Sequence, residues 1–275
     1  MKINSFAAAK VNLALHVRGL KSNGYHELDS LVTFANLGDI IEVRPSDELK
    51  LTIEGPFADN VPKGADNIVI KAANFLSPDG KAHINLIKNL PVKAGLGGGS
   101  ADAAATLRSL SKLWNIPIPK TPEVLGADVP ICLLKETAIV QGIGEKITPV
   151  SIPSNLHIVL IKPNIGLSTA KVFNNLKNKH NEKMCTFKGT DSIEEFANYL
   201  NKLRNDLLQT SITIVPLLRD IINFLNVQNG NYYTQMSGSG TTCFGLFYDE
   251  VNAMRALSQA KIKLPDMWCK MVKLI

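Results

Sequence analysis

The stretch "NLPVKAGLGGGSADAAATLRSL", Asn89 to Leu110, decides how the chain is read. A strand-like apolar segment ends at Pro91, a glycine run follows, and alanines then open a segment suited to a helix. Gly95, Gly97, Gly98 and Gly99 place four residues without a Cβ within five positions, which lets backbone N–H groups come close to a ligand. Ser100 stands where an N-cap belongs, and Ala101 to Ala105 propagate the helix. The first turn of a helix carries unpaired N–H donors and a partial positive charge, so the loop predicts a cradle for a triphosphate. A tight strand-to-helix turn with no ligand is the other reading, although four glycines exceed what a turn needs. No Gly-Lys-Ser/Thr closes the loop, and the spaced dinucleotide fingerprint is absent. Asp102, in the first turn, reads as an outward-pointing acid matched to the helix dipole, with a metal role as the alternative.

Outward from the loop, the N-terminal side reads β-rich. In "KVNLALHVRG" Val11, Leu13, Leu15 and Val17 alternate with Asn12, Ala14 and His16. "SLVTFANL", "DIIEVRP" and "LKLTIEG" read as further strands, the first two divided at Gly38-Asp39. "ADNIVIKAANFL" reads as a helix and "AHINLIKNLP" as a strand. On the C-terminal side "ETAIVQGIGEKITPV" reads as a hairpin and "LHIVLIKPN" as a buried strand. "STAKVFNNL", "SIEEFANYLNKLRNDLL" and "IVPLLRDIINFLNV" read as helices. "YYTQMSGSGTTCFGLFYD" is a glycine turn between strands, "EVNAMRALSQAKIKL" a helix and "MWCKMVKLI" a strand. Strands and helices interleave without regular βαβ alternation, which predicts an α+β fold in two lobes, residues 1–150 and 151–275, parted near Pro149 to Pro153.

The chain has 275 residues, enough for one large domain or two lobes, with 45% hydrophobic and 20% charged residues and a net charge of +6. That excess suits an anionic small molecule or a nucleic acid; the lysines are scattered, which argues against nucleic acid. Cys132, Cys185, Cys243 and Cys269 lie far apart with no CxxC pair, and read as buried reduced thiols. Lys10 interrupts the first apolar run, and no segment has the ~20 apolar residues of a membrane span. The expectation is a soluble cytoplasmic protein with no membrane partner.

"LPVKAGLGGGSADAA" resembles the central phosphate-binding motif of the GHMP kinase superfamily, which includes galactokinase, homoserine kinase, mevalonate kinase and phosphomevalonate kinase. "AAAKVNLALHV" resembles the N-terminal motif of that superfamily, and "QMSGSGTTCFGLF" its C-terminal glycine motif. "AKVNLALHVRGLKSNGYHELDSL", "LGADVPICL" and "RNDLL" are similar to the branch formed by the 4-diphosphocytidyl-2-C-methyl-D-erythritol kinases. The "NIPIPKTPEV" segment between Trp114 and Gly126 is shorter than in that branch. The resemblance implies a two-lobe GHMP kinase fold: an N-terminal lobe like domain 2 of ribosomal protein S5, a ferredoxin-like C-terminal lobe, and an active site in the cleft between them. It implies ATP-dependent phosphorylation of the substrate 2-hydroxyl in non-mevalonate isoprenoid synthesis, with Mg²⁺ and with a monomer or weak homodimer.

By the same resemblance Asp128 is the general base, and Lys10 beside it steadies charge on the phosphoryl oxygens. Tyr25 and Phe173 would sandwich the cytosine, His26 would hydrogen-bond its edge, and Asn12 and Thr169 would hold the erythritol and diphosphate. For ATP, Gly97 to Ser100 would supply N–H and hydroxyl donors, flanked by Lys93, Ala94, Gly95 and Leu96 on one side and Ala101 on the other. Asn67 would touch adenine, and Gly238 and Gly240 would let the third motif approach the loop; no metal ligand is assigned. His16, His83, His157 and His180 read as structural. Two rivals remain: a mevalonate- or homoserine-type kinase, which gives no reason for Tyr25, His26 and Phe173, and a non-catalytic RNA- or ribosome-binding protein, which makes Lys10 and Asp128 coincidental.

Overall fold

The computed structural model describes residues 2–22 and 24–275; Met1, and Asn23 within the stretch leading to Tyr25, lie outside the described residues. The elements are β1 (Ile3–Leu20), β2 (His26–Arg44), β3 (Leu49–Glu54), α1 (Ile68–Leu76), β4 (Ala82–Ile87), α2 (Gly98–Trp114) and α3 (Val129–Leu134). After them come β5 (Ala138–Gly142), β6 (Lys146–Pro149), β7 (His157–Lys162), α4 (Thr169–Asn174), α5 (Ile193–Leu200) and α6 (Leu208–Ile214). The chain closes with α7 (Leu217–Asn226), β8 (Asn231–Met236), β9 (Cys243–Phe247), α8 (Glu250–Lys263) and β10 (Trp268–Lys273). This is the expected α+β mixture.

Two compact units share the chain. The first holds the described residues of Met1–Lys10 with Leu37–Val92 and Gly97–Lys135; the second holds those of Val11–Asn36 with Lys93–Leu96 and Glu136–Ile275. In the first unit β3 runs parallel to β4, and β4 pairs antiparallel with the end of β2, Ile40 opposite Ile87. Helix α1 packs along α2, and α2 packs against α3. Val69 and Ala72 of α1, Leu107 and Leu110 of α2, and Ile84 and Leu86 of β4 are all buried, which satisfies the apolar stripe of each element.

In the second unit the start of β2 pairs antiparallel with β5, and β5 with β6. A separate four-stranded antiparallel sheet has the order β10-β7-β9-β8. Numbered by appearance within this sheet the order is 4-1-3-2, with helices after the first and third strands: the ferredoxin-like arrangement. Leu218, Ile221 and Leu225 of α7 join Ala253, Ala256 and Ala260 of α8 in one core with Val159 and Ile161 of β7.

Several local expectations change. Strand β1 is buried on both faces from Ala7 to Val17: Ala7, Ala9, Val11, Leu13 and Leu15 share one face, and the other, with Ala8, Lys10, Asn12, Ala14 and His16, is enclosed as well. Gly38-Asp39 is no turn; β2 runs straight through it, and the glycine is there for close approach, since a Cβ on Gly38 would strike the Ala7 carbonyl. The helix expected to run to Leu208 stops at Leu200, because the Leu15 N–H donates to Arg204 O and the Asp206 N–H to Leu15 O. Cys185 is exposed, unlike the three other cysteines. Among the described residues no helix is long and apolar enough to cross a membrane.

Candidate active site

Helix α2 begins at Gly98, one turn earlier in register than a Ser100 cap requires. Gly97 is its N-cap, at φ 62°, and the Ala101 N–H donates to Gly97 O at 2.9 Å. Gly98, Gly99 and Ser100 therefore make the first turn, and their N–H groups are the unpaired donors of the helix end. What surrounds the glycines explains them. A Cβ on Gly97 would stand 3.0 Å from both Cβ and Cε of Lys10, and one on Gly98 would stand 3.2 Å from Lys88 Nζ. Two lysine side chains thus pass directly beside the start of the helix.

Lys10 is buried in β1, and its Nζ lies 2.9 Å from Asp128 Oδ2. The two ends of the pair differ: the lysine side chain is 6% exposed and the aspartate 43%. Asp128 immediately precedes α3, at the N-cap position, with Pro130 in the helix's first turn. Arg108 ties the surroundings together, donating to Cys132 O at 2.9 Å, Phe6 O at 3.2 Å and Ser5 Oγ at 3.4 Å. It links α2, α3 and the start of β1, and so fixes where Asp128 and Lys10 meet.

Asp102 does not point outward. It is 3% exposed, and its Oδ2 accepts from Lys88 Nζ at 2.6 Å while the same ammonium donates to Asp39 Oδ2 at 2.5 Å. Asp39 Oδ1 accepts the Asn89 and Leu90 N–H groups at 2.6 and 2.7 Å. The buried cluster anchors the chain on both sides of the loop. Sequence reading missed it because Gly38-Asp39 resembles a turn and Lys88 an ordinary strand-end cation.

Asn67 uses both ends of its amide within the chain: Oδ1 caps α1 by accepting the Val69 N–H at 2.8 Å, and Nδ2 donates to Pro62 O at 2.7 Å. Near it, Leu49, Leu51, Lys63, Gly64, Ala65 and Ile70 line a largely apolar cavity of about 550 Å³.

The other expected residues fall in the second unit. Ala94 and Leu96 are buried, and Lys93 is exposed with φ 54°. Ala94 O accepts the Thr242 N–H at 3.0 Å, and Gly95 O accepts Ser237 Oγ at 2.8 Å. A Cβ on Gly95 would collide with the carbonyls of Ser237 and Gly240, and one on Gly238 would stand 3.2 Å from Asn12 Oδ1. The expected approach of the third motif to Gly95 is thus a backbone contact. Asn12 donates its own N–H to Ser237 Oγ and its amide to Ser30 Oγ.

Thr169 and Phe173 lie one turn apart on α4, on one face. Thr169 Oγ1 and Ser239 Oγ are 2.8 Å apart. Phe173 meets His26, centroid to centroid 4.7 Å at 31°, whereas Tyr25 is 58% exposed. Burial, with the positive charge of Lys179 second, holds the His26 imidazole below its ordinary pKa, and its buried Nε2 meets no hydrogen-bond partner in the chain.

Two family models match: GHMP kinases N terminal domain over residues 67–135 and GHMP kinases C terminal over residues 187–266. A 4-diphosphocytidyl-2-C-methyl-D-erythritol kinase of Ruegeria pomeroyi is 43% identical over 274 residues, 98% of each chain. The chain belongs to this family of GHMP kinases. A solved 4-(cytidine 5'-diphospho)-2C-methyl-D-erythritol kinase superposes on it with TM-score 0.82 at 28% identity, over 99% of both chains. A homoserine kinase of Cytophaga hutchinsonii covers 100% of this chain and 97% of its own at TM-score 0.64 and 18% identity, which is a likeness of fold alone.

Proposed function

We propose that the chain transfers the γ-phosphoryl group of ATP to the 2-hydroxyl of 4-diphosphocytidyl-2-C-methyl-D-erythritol, giving the 2-phosphate and ADP, a step toward isoprenoid precursors on the non-mevalonate route. The observation that carries the reading is the Lys10–Asp128 pair, an inward ammonium and an outward carboxylate 2.9 Å apart, beside the first turn of α2 through Gly97.

A tertiary hydroxyl is a poor nucleophile, so transfer to it depends on alignment and on charge stabilisation. In this reading Asp128 accepts a hydrogen bond from the hydroxyl and receives its proton as the new oxygen–phosphorus bond forms. The bond from γ-phosphorus to the bridging oxygen breaks, and ADP leaves with that electron pair. Lys10 donates to the moving phosphoryl oxygens, and the N–H groups of Gly98, Gly99 and Ser100 hold the polyphosphate. The apolar cavity beside α1 has a volume ordinary for a ligand site and suits the adenine. The neutral His26, with Nε2 enclosed, suits the cytosine edge, Phe173 and Tyr25 its faces, and Asn12 and Thr169 the diphosphate and erythritol.

ATP implies Mg²⁺, which keeps oxygen ligands and water and rides on substrate phosphates. Among the described residues there is no group of three His, Cys, Asp or Glu side chains placed to hold a metal, and no metal ligand is assigned in the chain. When bound the ion offsets phosphate charge. The lobe assignment, 1–150 for ATP and 151–275 for the C-terminal lobe, and action in the cytoplasm as a monomer or weak homodimer belong to the same proposal.

An ADP-release assay with ATP and the cytidine diphosphate of methylerythritol tests it. Turnover with that substrate, and none with mevalonate or homoserine, is expected. Turnover with either of those instead, or no competition by CDP, overturns the substrate assignment.

A further inference from the structure

Asp102 is a buried acid for which the phosphoryl-transfer scheme has no use. Its Oδ1 is enclosed with no hydrogen-bond partner, and its Oδ2 shares the single Lys88 ammonium with Asp39. Two carboxylates and one ammonium leave an excess negative charge out of contact with water, an arrangement that favours taking up a proton. Of the two acids Asp102 is the one to take it. Both Asp39 oxygens already accept N–H donors, whereas Asp102 Oδ1 accepts none, so the Asp102 charge is the less stabilised of the two and the easier to neutralise.

The electrostatic surroundings point the same way. Burial pushes the Asp102 carboxyl well above the usual carboxylate range; Lys88 draws it down, and Asp39 pushes it up again. For Lys88 burial works against the charge, but the two carboxylates outweigh it and the ammonium is raised. The groups on the packed elements are few. Cys132 of α3 carries a thiol pushed up by burial. Arg108, further along α2, is turned to Ser5, Phe6 and Cys132. Lys10 of β1 pairs with Asp128, and Lys71 on α1 is exposed and pairs with Asp66.

The cluster lies under the phosphate cradle. Lys88 Nζ and Asp39 Oδ2 stand 3.2 and 3.8 Å from where a Cβ on Gly98 would be, and Asp102 follows Gly98 by about 6 Å along the helix axis. A polyphosphate on the first turn brings several negative charges toward this buried excess, with little solvent between to screen them.

Resting on the nucleotide-site reading above, we propose that Asp102 sets nucleotide affinity by taking up a proton from solvent onto Oδ1 when polyphosphate binds at Gly97–Ser100. The sign follows from linkage. Binding that takes up a proton is strongest where Asp102 is already protonated, and weakens as pH rises through its titration, by at most tenfold per pH unit for one proton.

The test is calorimetric titration of the whole chain with a non-hydrolysable ATP analogue and Mg²⁺ at pH 7 to 9, in buffers of low and high ionisation enthalpy. Over that range a terminal phosphate, with its last pKa of about 6, is already ionised. The wild type should show buffer-dependent heat equal to uptake of up to one proton, with Kd rising about three- to tenfold per pH unit. Asp102→Asn, neutral at every pH, should bind with a flat Kd and no uptake. Asp39→Asn, which leaves Asp102 as the sole anion on Lys88, should move the uptake to lower pH, and serves if Asp102→Asn does not fold. Binding without proton uptake in the wild type, or unchanged uptake in Asp102→Asn, sinks the proposal alone. No binding at any pH sinks the nucleotide site and the proposal with it.

Discussion

The Lys10 side chain runs against Gly97 so closely that a Cβ there would stand 3.0 Å from two of its carbons. Lys88 stands in nearly the same relation to Gly98, at 3.2 Å. The glycine run therefore serves two ends at once: it frees N–H groups at the head of α2, and it makes room for two cations beside them. A loop chosen for flexibility alone would not need consecutive glycines each facing a lysine.

Gly97→Ala should accordingly harm turnover more than folding. The left-handed backbone at φ 62° costs an alanine about 1–2 kcal/mol, and the new methyl displaces Lys10. A shift of that kind in a charge-stabilising group lowers kcat by about 10²-fold. Steady-state kinetics beside thermal melting check this; an unchanged kcat would show that Lys10 is not held by Gly97.

Asp128→Asn should lower kcat by about 10²–10⁴-fold, with the dissociation constant of the cytidine substrate within a few-fold of the wild type. Lys10→Ala should fall comparably. Because the two act as one unit, the double variant should be little worse than either single one. Additive losses would mean that they work separately.

Much of this was legible in the chain. The glycine run followed by alanines announced its helix, the interleaved strands and helices announced an α+β fold, and the resemblance to the GHMP kinases implied the ferredoxin-like sheet. What stayed hidden was whatever depends on contacts distant in sequence. Asp39 looked like half of a Gly-Asp turn, yet it is held by Lys88, Asn89 and Leu90 about fifty positions away. Asp102 obeyed the helix-dipole rule on paper and is buried, because α2 is enclosed from Ala101 to Leu107. His26 was expected beside a base, with Tyr25 and Phe173 as the stacking pair; the ring that Phe173 meets here is His26 itself.

His26 gives a pH test. Burial first and Lys179 second disfavour its charged form, so the neutral imidazole persists below the pH where an ordinary histidine, near 6.5, half-protonates. KM for the cytidine substrate should stay flat from pH 8 through about 6.5 and rise only in more acid solution. Lys179→Ala removes the second cause and should move that rise toward higher pH. A KM already climbing at neutral pH counts against a neutral His26 at the base.

Asn205, in the "RNDLL" stretch, makes the last case, because its amide does three things at once. Its Nδ2 donates to Met236 O at 2.7 Å and Gly238 O at 2.8 Å, and its Oδ1 accepts the Leu207 N–H at 2.9 Å. The side chain is buried, so each partner it leaves becomes an enclosed polar group, at about 1–3 kcal/mol apiece where water does not enter. Asn205→Ala should therefore destabilise the chain by a few kcal/mol in urea unfolding. Asn205→Asp should be worse than alanine despite its similar shape, because a carboxylate oxygen replaces the donor and faces two carbonyl oxygens. The same variants should raise KM for the cytidine substrate, since Gly238 flanks Asn12 and the adjoining Ser239 holds Thr169. If the aspartate variant proved as stable as the wild type, the amide would not be what holds the third glycine motif in place.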